Sequence, residues 1–227
     1  MLGYFPSPSF FSGGSDTTLA DLRAKLNDEL GVLSDTETSP WSVAQRNAAI
    51  SEGYAELWRA GVWKDATQDL PTVTSQWVYA LTGIRKLYRL ELVDATDRIL
   101  EMPKGIVEPD FTGTGAFRVR LQNPLSGGNT LRALGWVPYK SQFLDDTDTD
   151  DLPAEHNRIP LVKAKAILYR QALSKFMRFG EAQSLTPSMN VSQDGLIAGI
   201  AQAEREFAEL TRALSGQRPR VGLTRTL

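Results

Sequence analysis

Two clusters in this chain carry residue types that do chemistry. The first is Glu155-His156, close to Asp151, and His156 is the only histidine of the chain. Oriented by Glu155 or Asp151, His156 would act as a general base. The spacing matches no nucleophile motif: there is no G-x-S-x-G, and the serines fall mostly in turns. A solvated histidine at a helix start is the plainer reading. The second cluster is Asp145, Asp146, Asp148, Asp150 and Asp151. Asp146, Asp148 and Asp150 copy the first three ligand positions of an EF-hand loop. The sixth position is Asp151 rather than glycine, and the twelfth is Asn157 rather than a bidentate glutamate. No metal is assigned. Dense like charges repel and stay in water, so the run reads as a solvated loop. It also suits a channel-facing lining that keeps DNA phosphates from sticking.

Other chemistries have weaker footing. A carboxylate pair for glycoside hydrolysis is a matter of spatial separation, which a sequence does not give. Trp77, Trp136 and Tyr139 could stack on a sugar, although aromatics on short strands are more often core. Neither G-x-G-x-x-G nor a P-loop occurs. With no cysteine in 227 residues, disulfides, thiolate metal sites and Cys nucleophiles are excluded. No catalytic residue, metal or cofactor is assigned. The net charge of −2 gives no global pull toward nucleic acid. Arg218, Arg220 and Arg225 could touch phosphates, or equally the acidic groups of a partner protein. Residues 1–14 have no Lys or Arg and are interrupted by prolines, unlike a signal peptide. No apolar run approaches the ~18–20 residues that span a bilayer. The expectation is a soluble protein assembled in the cytoplasm, with no membrane partner.

The elements that must position these residues follow from periodicity. Residues 1–16 read as an arm broken by Pro6, Pro8, Gly13 and Gly14, with Tyr4, Phe5, Phe10 and Phe11 able to bury rings on a neighbour. Leu19, Leu22, Leu26 and Leu30 make a helical stripe, capped by Asp16 or Thr17 and closed by Gly31. A second helix runs from about Trp41 toward Gly61, with Ile50, Tyr54 and Leu57 inward and Arg46, Glu52, Glu56 and Arg59 largely off the stripe. Strand signals follow at 77–81, 86–93, 98–102, 116–122 and 131–137, with a hairpin turn at 126–129. Residues 159–180 and 192–215 read as two further helices, the last carrying Leu196, Ala203, Phe207 and Leu210. Tyr54, Leu57, Tyr169 and Phe207 are assigned to core.

The predicted fold class is α+β. A four-helix bundle (17–70 and 152–216) carries an inserted small antiparallel β-sandwich or barrel-like subdomain with the acidic loop (71–151). An N-terminal arm (1–16) and a C-terminal tail (217–227) extend from it.

The run Thr18-Leu19-Ala20-Asp21-Leu22-Arg23, followed after a turn by Ile50-Ser51-Glu52-Gly53-Tyr54-Ala55-Glu56-Leu57, resembles the head–tail connector (adaptor, neck) proteins of tailed bacteriophages. Members commonly open with T-L-x-x-L-R and continue with I-N-E-A-Y-x-E-L, from which this chain departs at Ser51 and Gly53. Ala164, Ala166, Tyr169 and Ala172 resemble the family's third helix. The resemblance covers about half the chain, through packing patterns rather than catalytic signatures. It implies a non-enzymatic homo-oligomer, a dodecameric ring under the portal protein in the virion neck. Such a ring continues the channel for genomic double-stranded DNA, which passes without sequence-specific binding, and docks the tail or a tail-completion protein. It also implies that residues 214–227 reach toward the portal. The partner-binding residues expected on this footing are Arg218, Arg220, Val221, Leu223, Arg225 and Leu227, with Phe5, Phe10 and Phe11 of the arm and the outward face of the insert. The rivals are a tail-completion or tail-tube-end protein, a cell-wall glycoside hydrolase and a bare DNA binder.

Overall fold

The computed structural model describes residues 17–31, 41–109, 117–179 and 192–215. The fold is α+β, and the chain divides into two compact units. One lies within Met1–Val62 and Tyr139–Arg218, and the other contains Trp63–Pro138.

The first unit is helical. Helix α1 (Leu19–Leu30) starts at Thr18, whose hydroxyl accepts the Asp21 N–H at 3.2 Å while the Asp21 carboxylate accepts the Thr18 N–H at 3.0 Å. The cap is therefore Thr18 rather than Asp16 or Thr17, because only Thr18 has an acidic residue three positions on to complete a capping box. Gly31, at φ +68°, closes the helix as expected. Helix α2 (Val43–Arg59) opens with a second capping box, Ser42 with Gln45. Helices α3 (Arg158–Phe179) and α4 (Gln193–Ser215) complete the unit, with α3 lying against all three others.

Leu19, Leu22, Leu26, Ile50, Tyr54, Leu57, Ala164, Leu168 and Phe207 share one buried cluster, and Tyr169 packs against it half-buried. Gly53 lets α2 and α3 touch: a Cβ there would stand 2.3 Å from the Pro160 carbonyl oxygen. Arg46, expected off the apolar stripe, is only 1% exposed. Its guanidinium donates to Asn27 at 3.1 Å, and Arg23 of α1 donates back to Asn47 at 3.2 Å. This reciprocal Arg–Asn pairing satisfies polar groups that periodicity alone would have sent to solvent.

The second unit is an antiparallel sandwich. Strands β1 (Lys64–Pro71), β3 (Lys86–Val93), β4 (Ile99–Glu101) and β7 (Thr130–Val137) form a sheet in the order β1-β7-β3-β4. Strands β2 (Val78–Leu81), β5 (Gly105–Pro109) and β6 (Phe117–Leu121) form another, in the order β2-β6-β5. Leu90, Leu92, Leu131 and Ala133 of the first sheet and Tyr79, Leu81, Val119 and Leu121 of the second share a core.

Three expectations are corrected here. Residues 64–70, assigned to the helical bundle, pair residue for residue with β7. The acidic loop, assigned to the insertion, belongs with the helices, so the change of unit falls at Val62 and Tyr139 rather than at 70 and 152. Residues 126–129 are no hairpin turn, because they join β6 to β7, which lie in different sheets.

Candidate assembly interface

The acidic run is a structural strap along the start of α1. The carbonyls of Asp148 and Asp146 accept the N–H groups of Leu19 (2.9 Å) and Ala20 (3.2 Å), donors that a helix's first turn leaves without intrahelical partners. Thr17 accepts from the Asp150 N–H at 3.1 Å, and Thr18 bridges Thr149. Asp146 holds Arg23 in a two-pronged pair at 2.6 and 3.0 Å. Asp148 accepts Lys140 Nζ at 2.9 Å and the Leu144 and Asp145 N–H groups. The Lys140 contact, with those N–H groups behind it, lowers the Asp148 carboxyl to about 2. Asp151 accepts the Lys140 N–H at 2.8 Å.

Asp150 is 4% exposed and accepts the Tyr54 hydroxyl at 2.6 Å. Burial, then the bond to Asp150, pushes the Tyr54 phenol far above its ordinary range. The expectation of a solvated loop is thus corrected at Asp150. Asp150 faces the interior, and Asp146, Asp148 and Asp151 are engaged within the unit, while Asp145 and Asp146 remain exposed.

The other chemical candidates are placed as follows. His156 ends a 3-10 turn (Ala154–His156), with Nε2 3.6 Å from Glu155, longer than a hydrogen bond. Trp136 lies against Trp63 and Tyr88, each ring centre 4.8 Å away, and Lys86 Nζ stands 4.0 Å over Trp63 and 5.5 Å from the centre of Trp136. These contacts, with cation–π attraction among them, occupy the rings a sugar would stack on. Tyr139 is core of the helical unit, and of the three candidates Trp77 is exposed. A shallow groove lined by Lys25, Asp28, Glu29, Glu155, Asn157 and Arg158 is crossed by the Arg158–Glu29 pair at 3.2 Å. Among the described residues, no group of three or more His, Asp or Glu is placed to hold a metal ion. No described helix is long and apolar enough to cross a membrane. Phe5, Phe10, Phe11, Arg218, Arg220, Val221, Leu223, Arg225 and Leu227 lie outside the described residues.

The feature that sequence periodicity missed is the difference between the two flanks of the sandwich. On one flank, Gln68 of β1 reaches across to β2 and the turn after it. Its Oε1 accepts the Thr82 and Gly83 N–H groups at 3.0 and 3.1 Å, and its Nε2 donates to the Ala80 carbonyl and the Thr82 hydroxyl, both at 3.3 Å. On the other flank stand β4 and β5, each the last strand of its sheet among the described residues. Ile99, Leu100, Met102, Ile106 and Val107 are 39–61% exposed there. Clustered exposed apolar residues on edge strands mark interaction surfaces. The apolar residues are present in the sequence, but periodicity gives a strand only at 98–102 and none at Ile106 and Val107.

No family model matches the chain, and no curated protein does. Among solved structures, the chain is similar to a chain in the neck of an empty gene transfer agent particle, computed with C6 symmetry. Identity is 11%, coverage 84% of this chain and 93% of that one, and the TM-score 0.29. It is similar as well to a chain in the virion of a native gene transfer agent particle, at 12% identity, 82% and 92% coverage and a TM-score of 0.29. Likeness at this level is too slight to transfer a fold or a role.

Proposed function

We propose that this chain is a structural subunit of a phage-like neck. In finer terms it is a head-to-tail adaptor that forms a ring under the portal, continues the DNA channel and docks the tail. The observation that carries the reading is where the family-like residues sit. Leu19, Leu22 and Arg23 of the T-L-x-x-L-R stretch, and Ile50, Tyr54 and Leu57 of the second helix, are all buried. The motif is therefore a code for packing one helix pair, and Thr18 supplies its cap. Gly53, where the family pattern has alanine, answers the close Pro160 carbonyl, so the departure compensates for local crowding and leaves the packing scheme intact. The open apolar flank of the sandwich supports assembly rather than solitary action.

Electron microscopy of particles carrying a tagged copy of the chain tests the reading. The tag is expected at the head–tail junction, and particles made without the chain should be filled heads that fail to join tails. A tag along the tail shaft, or infectious particles lacking the chain, would overturn it. A tag at the junction that cross-links to tail proteins and never to the portal would move the chain one layer down, to tail completion.

A further inference from the structure

We infer that the open β4/β5 flank seats residues 4–11 of a neighbouring copy, which add to it as one more strand. The choice of a neighbour rests on the ring reading above. The choice of segment rests on the following observations.

The receiving side is built and firm. Strands β4 and β5 are joined by Met102, Pro103 and Lys104, so both free edges run along one flank. Asp94 fixes the turn into β4, accepting the Thr96 and Arg98 N–H groups at 2.8 and 3.1 Å. Arg118 and Arg120 of β6 hold Glu108 of β5 at 3.1 and 3.2 Å. A flank already ordered in this way loses little freedom when a strand joins it. The opposite flank is held across by Gln68 and exposes Val73 and Trp77 in the connection between β1 and β2 but no large apolar side chain within either strand, so it offers a smaller apolar surface.

The occupant is written in the sixteen residues before Thr17. They are long enough to reach about 50 Å at ~3.3 Å per residue. Residues 1–15 carry no charged side chain, so the segment brings no side-chain charge of its own to be buried. Tyr4, Phe5, Phe10 and Phe11 supply rings for Ile99, Leu100, Ile106 and Val107. The prolines set the pairing. In a strand, alternate N–H groups point to the same side. Pro6 and Pro8 share one parity, which leaves Phe5, Ser7 and Ser9 as donors on the other. A strand of this pattern pairs on one side and presents proline to the other, so it covers an edge and stops further growth. One segment given and one flank filled per copy is a heterologous contact, the kind that closes a ring.

The cysteine-free chain allows a direct test. Full-length Phe10→Cys and Ile106→Cys variants carrying different tags are mixed under mild oxidation, and the same is done with Phe5→Cys. A disulfide-linked hetero-pair is expected, because docked thiols meet at high effective concentration. Its yield should be about tenfold or more above that of Phe10→Cys with Leu144→Cys, an exposed position on the helical unit. Ile106→Lys and removal of residues 2–16 should each abolish self-association, and together do no more than either alone, with the circular dichroism of Ile106→Lys unchanged. Yield no higher than the Leu144 control overturns the proposal. So does a link found only within single chains of the Phe10→Cys/Ile106→Cys double variant. If the hetero-pair forms but microscopy finds open chains, the ring reading fails and this contact stands. Rings without the link sink the contact alone.

Discussion

The strap at 145–151 and the flank at 99–107 make opposite uses of conspicuous residues. In the strap, the aspartates engage Arg23, Lys140, Tyr54 and the first turn of α1. A dense acidic run, which looks like a surface for a partner, is mostly consumed inside its own unit. At the flank, apolar side chains that look like ordinary strand core are left in solvent on two edge strands. Residue type alone therefore misleads in both places. What separates them is whether complementary groups in the same unit have already satisfied the side chain.

The sharpest way to break this comparison is to empty the strap. Asp150→Ala leaves the buried Tyr54 hydroxyl without its acceptor and should cost about 2 kcal/mol in urea unfolding. Most of that loss should be absent when the change is made in a Tyr54→Phe background. A loss below about 0.5 kcal/mol would mean that the strap is surface decoration after all.

Opening the closed flank comes next. Gln68→Ala removes four hydrogen bonds across the sandwich. It should lower stability by about 1 kcal/mol, since these bonds are exposed to water. Light scattering should show disordered association that the native chain lacks.

A smaller effect comes from acid. The Asp148 carboxyl is held at about 2 in the folded chain, below the ordinary value of about 3.9. Its contribution is therefore present above about pH 4 and disappears as pH falls toward 2. Asp21 and Asp94 are also lowered by their hydrogen bonds, so the informative quantity is a difference. Lys140→Ala should flatten the fall in stability across that acid window, and an unchanged slope would remove Lys140 from the account.

The smallest effect on the folded chain is expected at the open flank. Ile106→Lys should change stability by less than about 0.5 kcal/mol. A loss of several times that would show Ile106 to be core and end the contrast.

Much of the fold was legible because its signals are local. The 3.6-residue stripes of Leu19, Leu22, Leu26 and Leu30, and of Leu196, Ala203 and Phe207, mark helices that the structure reproduces to within a residue or two. Strands β3 and β6 are legible from alternation, and β2 from aromatic and β-branched content. Strand β1 was not, because Lys64, Asp65, Gln68 and Asp69 give no apolar face; its strand state comes from pairing with β7. Strand β5 was hidden by Gly105 and Pro109, which read as loop but end a short edge strand. Arg46 was misplaced because periodicity knows nothing of Asn27 across the helix pair.

By itself, the sequence determined the four helices, the stop of the first at Gly31, the β block between the second and third helices, and the absence of thiol chemistry. Each depends on neighbours a few residues away or on composition. Only the tertiary structure decided which unit owns the acidic loop, which charges are buried, and which edge of the sandwich remains uncovered. Those outcomes are set by partners far apart along the chain, such as Tyr54 with Asp150 and Arg23 with Asp146. A group's solvation depends on what surrounds it in space, and spacing along the backbone does not encode that.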